Sequence, residues 1–167
     1  MIALEITSLK QFMNSFLCSD NFDIFLLEQA SVTTYNTFQI DGRQNRSFYT
    51  KEEWEDSSIR PYEFTRWKDI RGLCFDLIKG THTPTSFKFV LQLCPEYIEG
   101  ILKNEDTLLK VSDIKSLVLT LKYDGSNLTL ITGTSLKTFI PDKTIDSYWD
   151  KAIKRFLVKK QLSFEDL

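Results

Sequence analysis

The feature that most constrains the fold is a pair of apolar segments separated by a turn sequence. Residues 117–123 and 128–132 are rich in leucine and β-branched residues, and Asp124-Gly125-Ser126-Asn127 lies between them. An Asp-Gly step between two such segments is typical of a β-hairpin. Because the two strands of a hairpin are antiparallel, the chain is predicted to contain an antiparallel sheet.

The spacing of apolar residues predicts the remaining elements. A strand is predicted at 1–6, a long strand at 25–40 that turns at Asp41-Gly42, and a returning strand at 43–49. Another strand is predicted at 87–93, where large apolar residues occupy every second position. Helices are predicted at 8–17, 65–80, 95–102 and 144–161.

This order of elements predicts an α+β fold in a single domain of 167 residues. We expect an antiparallel-rich sheet with helices packed mainly on one face. Two possible halves, 1–50 and 84–140, share a β-α-β-β order and are joined by a connector and helix at 51–80, with the C-terminal helix at 144–161 after them. Sliding-clamp processivity factors repeat a similar plan, but an analogy of fold does not transfer function.

Composition limits the class of protein. Hydrophobic residues make up 42% of the chain and the net charge is −2, so no global electrostatic attraction to nucleic acid is expected. No apolar run approaches the ~20 residues that span a bilayer, and the N-terminus has no signal-like pattern. We therefore predict a cytoplasmic protein. Cys18, Cys74 and Cys94 are far apart and odd in number, which argues against a disulfide framework and a zinc site.

A short polar segment, residues 78–85, lies where a helical pattern stops and a strand pattern starts. Gly80 can end the helix and Pro84 prevents it from resuming, so an ordered loop is predicted. The segment holds the only histidine of the chain. Loops that rigid elements position often carry functional groups. The weak candidates for catalysis are Lys79, Thr81, His82 and Cys94.

Two of these candidates are predicted to lie far apart. Cys94 precedes Pro95 at a predicted helix N-terminus, where the helix dipole would favour the thiolate. About ten extended residues separate it from His82, which holds the two ~33 Å apart at ~3.3 Å per residue. A Cys–His pair is therefore not expected, and an enzyme would need an acid from elsewhere in the fold.

The same region carries a resemblance to a known family. The residues that carry it are 73–80, Thr83-Pro84, 87–90, 30–38, 40–43 and 132–136. On these residues the chain resembles an uncharacterised domain-of-unknown-function family from gut-dwelling clostridial bacteria (Firmicutes). The resemblance spans nearly the whole chain and implies a bacterial, single-domain protein. The family has no assigned activity, so the resemblance implies no site.

A second group of candidates mixes cations with aromatic rings. Such a mixture is used for stacking on single-stranded nucleic acid. The weak candidates for binding are Arg60, Tyr62, Arg66 and Arg71. The alternative is that Trp67 belongs to the core face of a helix while the arginines are solvated, and the nearly neutral charge favours it.

An acidic connector is predicted at residues 50–59 and holds Trp54, with Phe48 and Tyr49 before it and Tyr62 and Phe64 after it. These rings form either an exposed apolar patch or a cover for the core, and the second is expected.

No complete catalytic or cofactor motif is present, so the leading hypothesis is a non-enzymatic intracellular binding protein. Its partner is unknown, either another protein or a second copy. The alternative is a small enzyme that uses loop 79–84. No cofactor, metal or membrane is predicted, and nucleic acid is not expected.

Overall fold

The computed structural model describes residues 1–103 and 105–167. Within these residues it contains eight strands and five α-helices. The strands are β1 (Ala3–Ile6), β2 (Phe25–Thr33), β3 (Thr37–Asp41), β4 (Thr65–Arg66), β5 (Ser86–Leu93), β6 (Ile114–Tyr123), β7 (Leu128–Leu136) and β8 (Phe164–Asp166). The helices are α1 (Leu9–Cys18), α2 (Lys51–Glu55), α3 (Trp67–Ile78), α4 (Ile98–Leu102) and α5 (Thr144–Lys159).

The strands form one open antiparallel sheet in the order β3-β2-β5-β6-β7-β1-β8, and β4 pairs with β2. The predicted hairpin is confirmed as β6 and β7, with Leu121 opposite Leu130. In its turn the Asp124 carboxylate accepts hydrogen bonds from the backbone N–H groups of Ser126 and Asn127, at 2.9 and 2.8 Å. These bonds hold the pKa of Asp124 below its usual value.

The three longer helices pack on the same face of the sheet, which confirms the predicted α+β class. A connected set of aromatic rings joins them. Phe16 of α1 stacks on Trp67 of α3, and both rings contact Phe89 of β5. Phe25 of β2 meets Trp149 of α5. Residues on alternating positions of the central strands complete this core.

The strands of the two possible halves lie in one sheet. β1 is separated from β2 and β3 and pairs instead with β7 and β8. The division into halves stays a prediction. The last helix ends at Lys159, two residues before the predicted end, and Gln161 follows with a φ of 59°.

One hairpin differs from its prediction. The turn between β2 and β3 lies at 34–36, where the Thr34 N–H donates to the Asn36 carbonyl oxygen at 2.8 Å. Asp41-Gly42 is therefore not the turn, and residues 46–48 form a short 3-10 helix in place of a returning strand. Gly42 is required for another reason. The chain passes so close to a bulge in β2 that an added Cβ would lie 1.8 Å from the Leu27 carbonyl oxygen.

Candidate functional site

The loop 79–84 is the ordered joint that the sequence predicts. The Lys79 N–H donates to the Phe75 carbonyl oxygen at 2.8 Å, and Gly80 has a φ of 145° that favours glycine. The buried Pro84 precedes β5. The loop and the β2–β3 turn face each other across a cleft of about 560 Å³, which His82 and the exposed ring of Tyr35 line.

The cleft does not assemble a catalytic pair from the predicted residues. Lys79 Nζ lies 2.9 Å from Asp76 Oδ1 in an exposed ion pair. His82 is exposed and lines the same cleft. Cys94 lies beyond the far end of β5, as the length of that strand predicts. The enzyme hypothesis stays a prediction, with Asp76 as the acid that the structure places beside the loop.

Cys94 lies in a different environment from the one expected. Its thiol is buried, and Tyr62 and Glu96 lie beside it, with the Tyr62 hydroxyl donating to the Glu96 carboxylate. Burial raises the pKa of the Cys94 thiol to about 11, opposite to the lowering expected from a helix dipole. The reason is that Cys94 precedes a short 3-10 helix and the five-residue α4, and neither offsets the loss of solvent.

We expect one thiol of the native protein to react with a thiol reagent at neutral pH. Cys18 is exposed, whereas Cys74 and Cys94 are buried and burial raises their pKa values to about 12 and 11. Titration with a chromogenic disulfide reagent should therefore release one equivalent from the native chain and three after denaturation. Cys18→Ser should abolish the native reaction, and a fast reaction that persists in this variant would contradict the assignment.

The arginines of the second candidate group are engaged within the protein. Arg66 Nε lies 2.9 Å from Asp69 Oδ2, and Arg71 forms a 2.8 Å ion pair with Asp23. The ring of Trp67 is fully buried in the core. A nucleic-acid strand would have to displace these acids and would find that ring inaccessible. A nucleic-acid role for the four binding candidates stays a prediction.

Arg60, the remaining cation of that group, belongs to a surface cluster around Trp54. We call it the connector patch: Arg46, Phe48, Tyr49, Trp54 and Arg60. The Arg60 guanidinium carbon lies 3.7 Å from the centre of the Trp54 ring, and the rings of Tyr49 and Phe48 continue the contact at 5.9 and 5.3 Å. Arg46 lies 6.0 Å above the same tryptophan.

The connector patch is not part of the hydrophobic core. None of its rings belongs to the core cluster of the described residues, and the side chain of Phe48 is 81% exposed. The expectation that these rings cover the core is therefore wrong. Arg46 is not among the residues predicted from the sequence, although its position two residues before Phe48 was an available signal.

Comparison with known proteins places this architecture in a family. The sequence model of a family of unknown function, DUF5721, matches residues 15–165. The chain belongs to this family. No curated protein and no solved structure matches the chain. The predicted membership in a family without an assigned activity is thus confirmed, whereas the clostridial origin stays a prediction.

Two further properties of the described residues concern metal-binding clusters and membrane-spanning helices. Across residues 1–103 and 105–167, no cluster of three or more histidine, cysteine, aspartate or glutamate side chains could hold a metal ion. In the same ranges no helix has the length and apolar character needed to cross a membrane.

Proposed function

We propose that this protein is a non-enzymatic binding protein that docks a protein partner through the connector patch. The observation that carries the proposal is that a set of ordered rings lies outside the core. Phe48 contacts Tyr49, Tyr49 contacts Trp54, and Arg60 lies over the Trp54 ring, yet none of these rings belongs to the core cluster. Phe48 is exposed and Tyr49 and Trp54 are half-buried, and rings that lie outside the core in this way support a role in binding.

The backbone around the patch is held in place. Thr50 and Glu53 form a capping box, with N–H to side-chain oxygen distances of 3.1 and 2.8 Å. Arg60 Nε donates to the Trp54 carbonyl oxygen at 3.2 Å, and the Tyr49 hydroxyl donates to Gln44 at 2.8 Å. Side chains that are already ordered lose little conformational entropy when a partner binds, so this arrangement favours affinity.

The composition of the patch is that of a protein interface. Tryptophan, tyrosine and arginine are the residues most enriched among those that dominate binding energy. Arg46 forms no ion pair among the described residues, so its guanidinium is available to a partner. Trp54 is half-buried and Phe48 exposed, which gives a rigid platform beside an accessible ring.

We further propose an intracellular, cytoplasmic location and a bacterial origin. The three cysteines are unpaired, and Cys18 is exposed to solvent, which is typical of proteins in a reducing compartment. The bacterial origin rests on the resemblance of the sequence alone.

The proposal predicts that removing the patch rings abolishes binding without unfolding the protein. The variant Phe48→Ala/Trp54→Ala should weaken affinity for the partner by about 1,000-fold, because each ring is of the type that contributes ~2 kcal/mol at an interface and two rings are removed. The measurement is quantitative mass spectrometry of proteins retained by the tagged chain in cells that encode it. Sedimentation equilibrium of the purified chain tests whether the partner is a second copy.

A matched control separates this surface from general stickiness. Phe139 is 94% exposed and lies outside the patch, so Phe139→Ala should leave the retained proteins unchanged. Circular dichroism should show the same spectrum for all three proteins. If the patch variant still folds and retains the same proteins as the wild type, and neither protein self-associates through the patch, the proposal is wrong.

A further inference from the structure

A second concave surface lies on the helical layer, far from the loop 79–84 in the sequence. We call it the helical pocket: a cavity of about 320 Å³ between α4 and α5. Its floor is formed by core residues, among them Phe25, Trp149 and Ile153, which are almost fully buried. Tyr97, with 45% of its surface exposed, stands at the lip. The volume falls at the lower end of the ~300–1,000 Å³ that is typical of small-molecule sites.

A glycine leaves the mouth of this pocket open. Gly100 lies inside α4, where a Cβ would meet no atom within 4 Å. It does not have the positive φ that would require glycine, unlike Gly80 and Gly125. Glycine within a helix costs roughly 0.5–1 kcal/mol relative to alanine. Because Gly100 lines the pocket, a larger side chain at this position would reduce its opening.

Two cations stand at the rim of an otherwise apolar lining. Arg155 and Lys159 lie one turn apart on α5, are exposed, and line the pocket. Among the described residues neither forms an ion pair. An apolar cavity with two free cations at its edge is complementary to a ligand with an apolar body and one anionic end.

We infer that the helical pocket binds a medium-chain fatty acid, with the chain against the partly exposed Ile24, Ile101 and Phe156 and the carboxylate at Arg155 and Lys159. The site is independent of the connector patch, because the two surfaces share no residue. The chain would replace solvent on these partly exposed side chains, and the carboxylate would stay at the rim, where water still reaches it. A single carboxylate accepts hydrogen bonds from both a guanidinium and an ammonium group.

Isothermal titration of the full chain with decanoate, below its micelle concentration, tests the inference. We expect one saturable site in the wild type. Gly100→Leu should abolish the binding because its side chain fills the pocket, and Arg155→Glu/Lys159→Glu should raise the Kd about tenfold, a loss of about 1.4 kcal/mol. Decanol should bind more weakly than decanoate to the wild type.

Each variant has a matched control. Gly72 in α3 is also a helical glycine with no atom near an added Cβ, so Gly72→Leu should bind decanoate normally. Lys151 lies on α5 but does not line the pocket, and Lys151→Glu should change the Kd less than twofold. The inference is overturned if the wild type does not bind decanoate, if Gly100→Leu melts like the wild type yet still binds, or if decanol binds equally well and charge reversal has no effect.

Discussion

Trp67→Ala should destabilise the protein by about 4 kcal/mol, the largest effect that we expect from a single side-chain truncation. The indole is fully buried, stacks on Phe16 with ring centres 4.2 Å apart, and contacts Phe89 edge-on. Its Nε1–H donates to the Phe16 carbonyl oxygen at 3.0 Å. The substitution therefore creates a large cavity and also leaves a buried carbonyl without its donor.

Urea unfolding followed by circular dichroism measures this effect, and the melting temperature should fall by roughly 10 °C for a chain of this length. Trp54→Ala is the matched control, because Trp54 is half-buried and outside the core cluster. We expect it to cost about 1 kcal/mol. Equal losses for the two tryptophans would contradict the distinction between the core and the connector patch.

The elements that the sequence predicts well are those determined by local pattern. The β6–β7 hairpin and the amphipathic faces of α1 and α5 follow from alternation, turn residues and helical spacing. The β2–β3 turn could not be placed in this way. Its residues, 34–36, lack glycine, while the stronger signal at Asp41-Gly42 reports a close approach to the bulge in β2, a tertiary contact that no local pattern contains.

The same distinction applies to the candidate sites. The separation of His82 from Cys94 was predictable, because the length of one strand determines it. The ion pair of Arg66 with Asp69 is also local. In contrast, Arg71 pairs with Asp23, which lies 48 residues away in the sequence, so no local pattern predicts this contact. Whether the rings of the connector patch face the core depends in the same way on how residues 46–60 pack against the rest of the protein. Arg155 and Lys159 of the helical pocket lie near the C-terminal end of α5, where the helix dipole alone explains the presence of cations. Their sequence positions therefore gave no sign that they lie beside a cavity.

Gly42→Ala should destabilise the protein by about 3 kcal/mol although it adds a single methyl group. The added Cβ would lie 1.8 Å from the Leu27 carbonyl oxygen and 2.9 Å from that of Glu28. Both neighbours are backbone atoms of β2, and the Gly42 N–H donates to the Glu28 carbonyl oxygen at 2.9 Å. The strand cannot move aside without breaking this bond and the pairing of β4 with β2, so the chain around the bulge must separate.

The measurement is again urea unfolding, with Gly72→Ala as the matched control. Gly72 lies within α3, where an added Cβ meets nothing within 4 Å, so the same chemical change should stabilise the protein by roughly 0.5–1 kcal/mol. The two glycines thus predict opposite signs for one substitution. A neutral or stabilising Gly42→Ala would mean that β2 and residues 42–44 do not approach as closely as the structure describes.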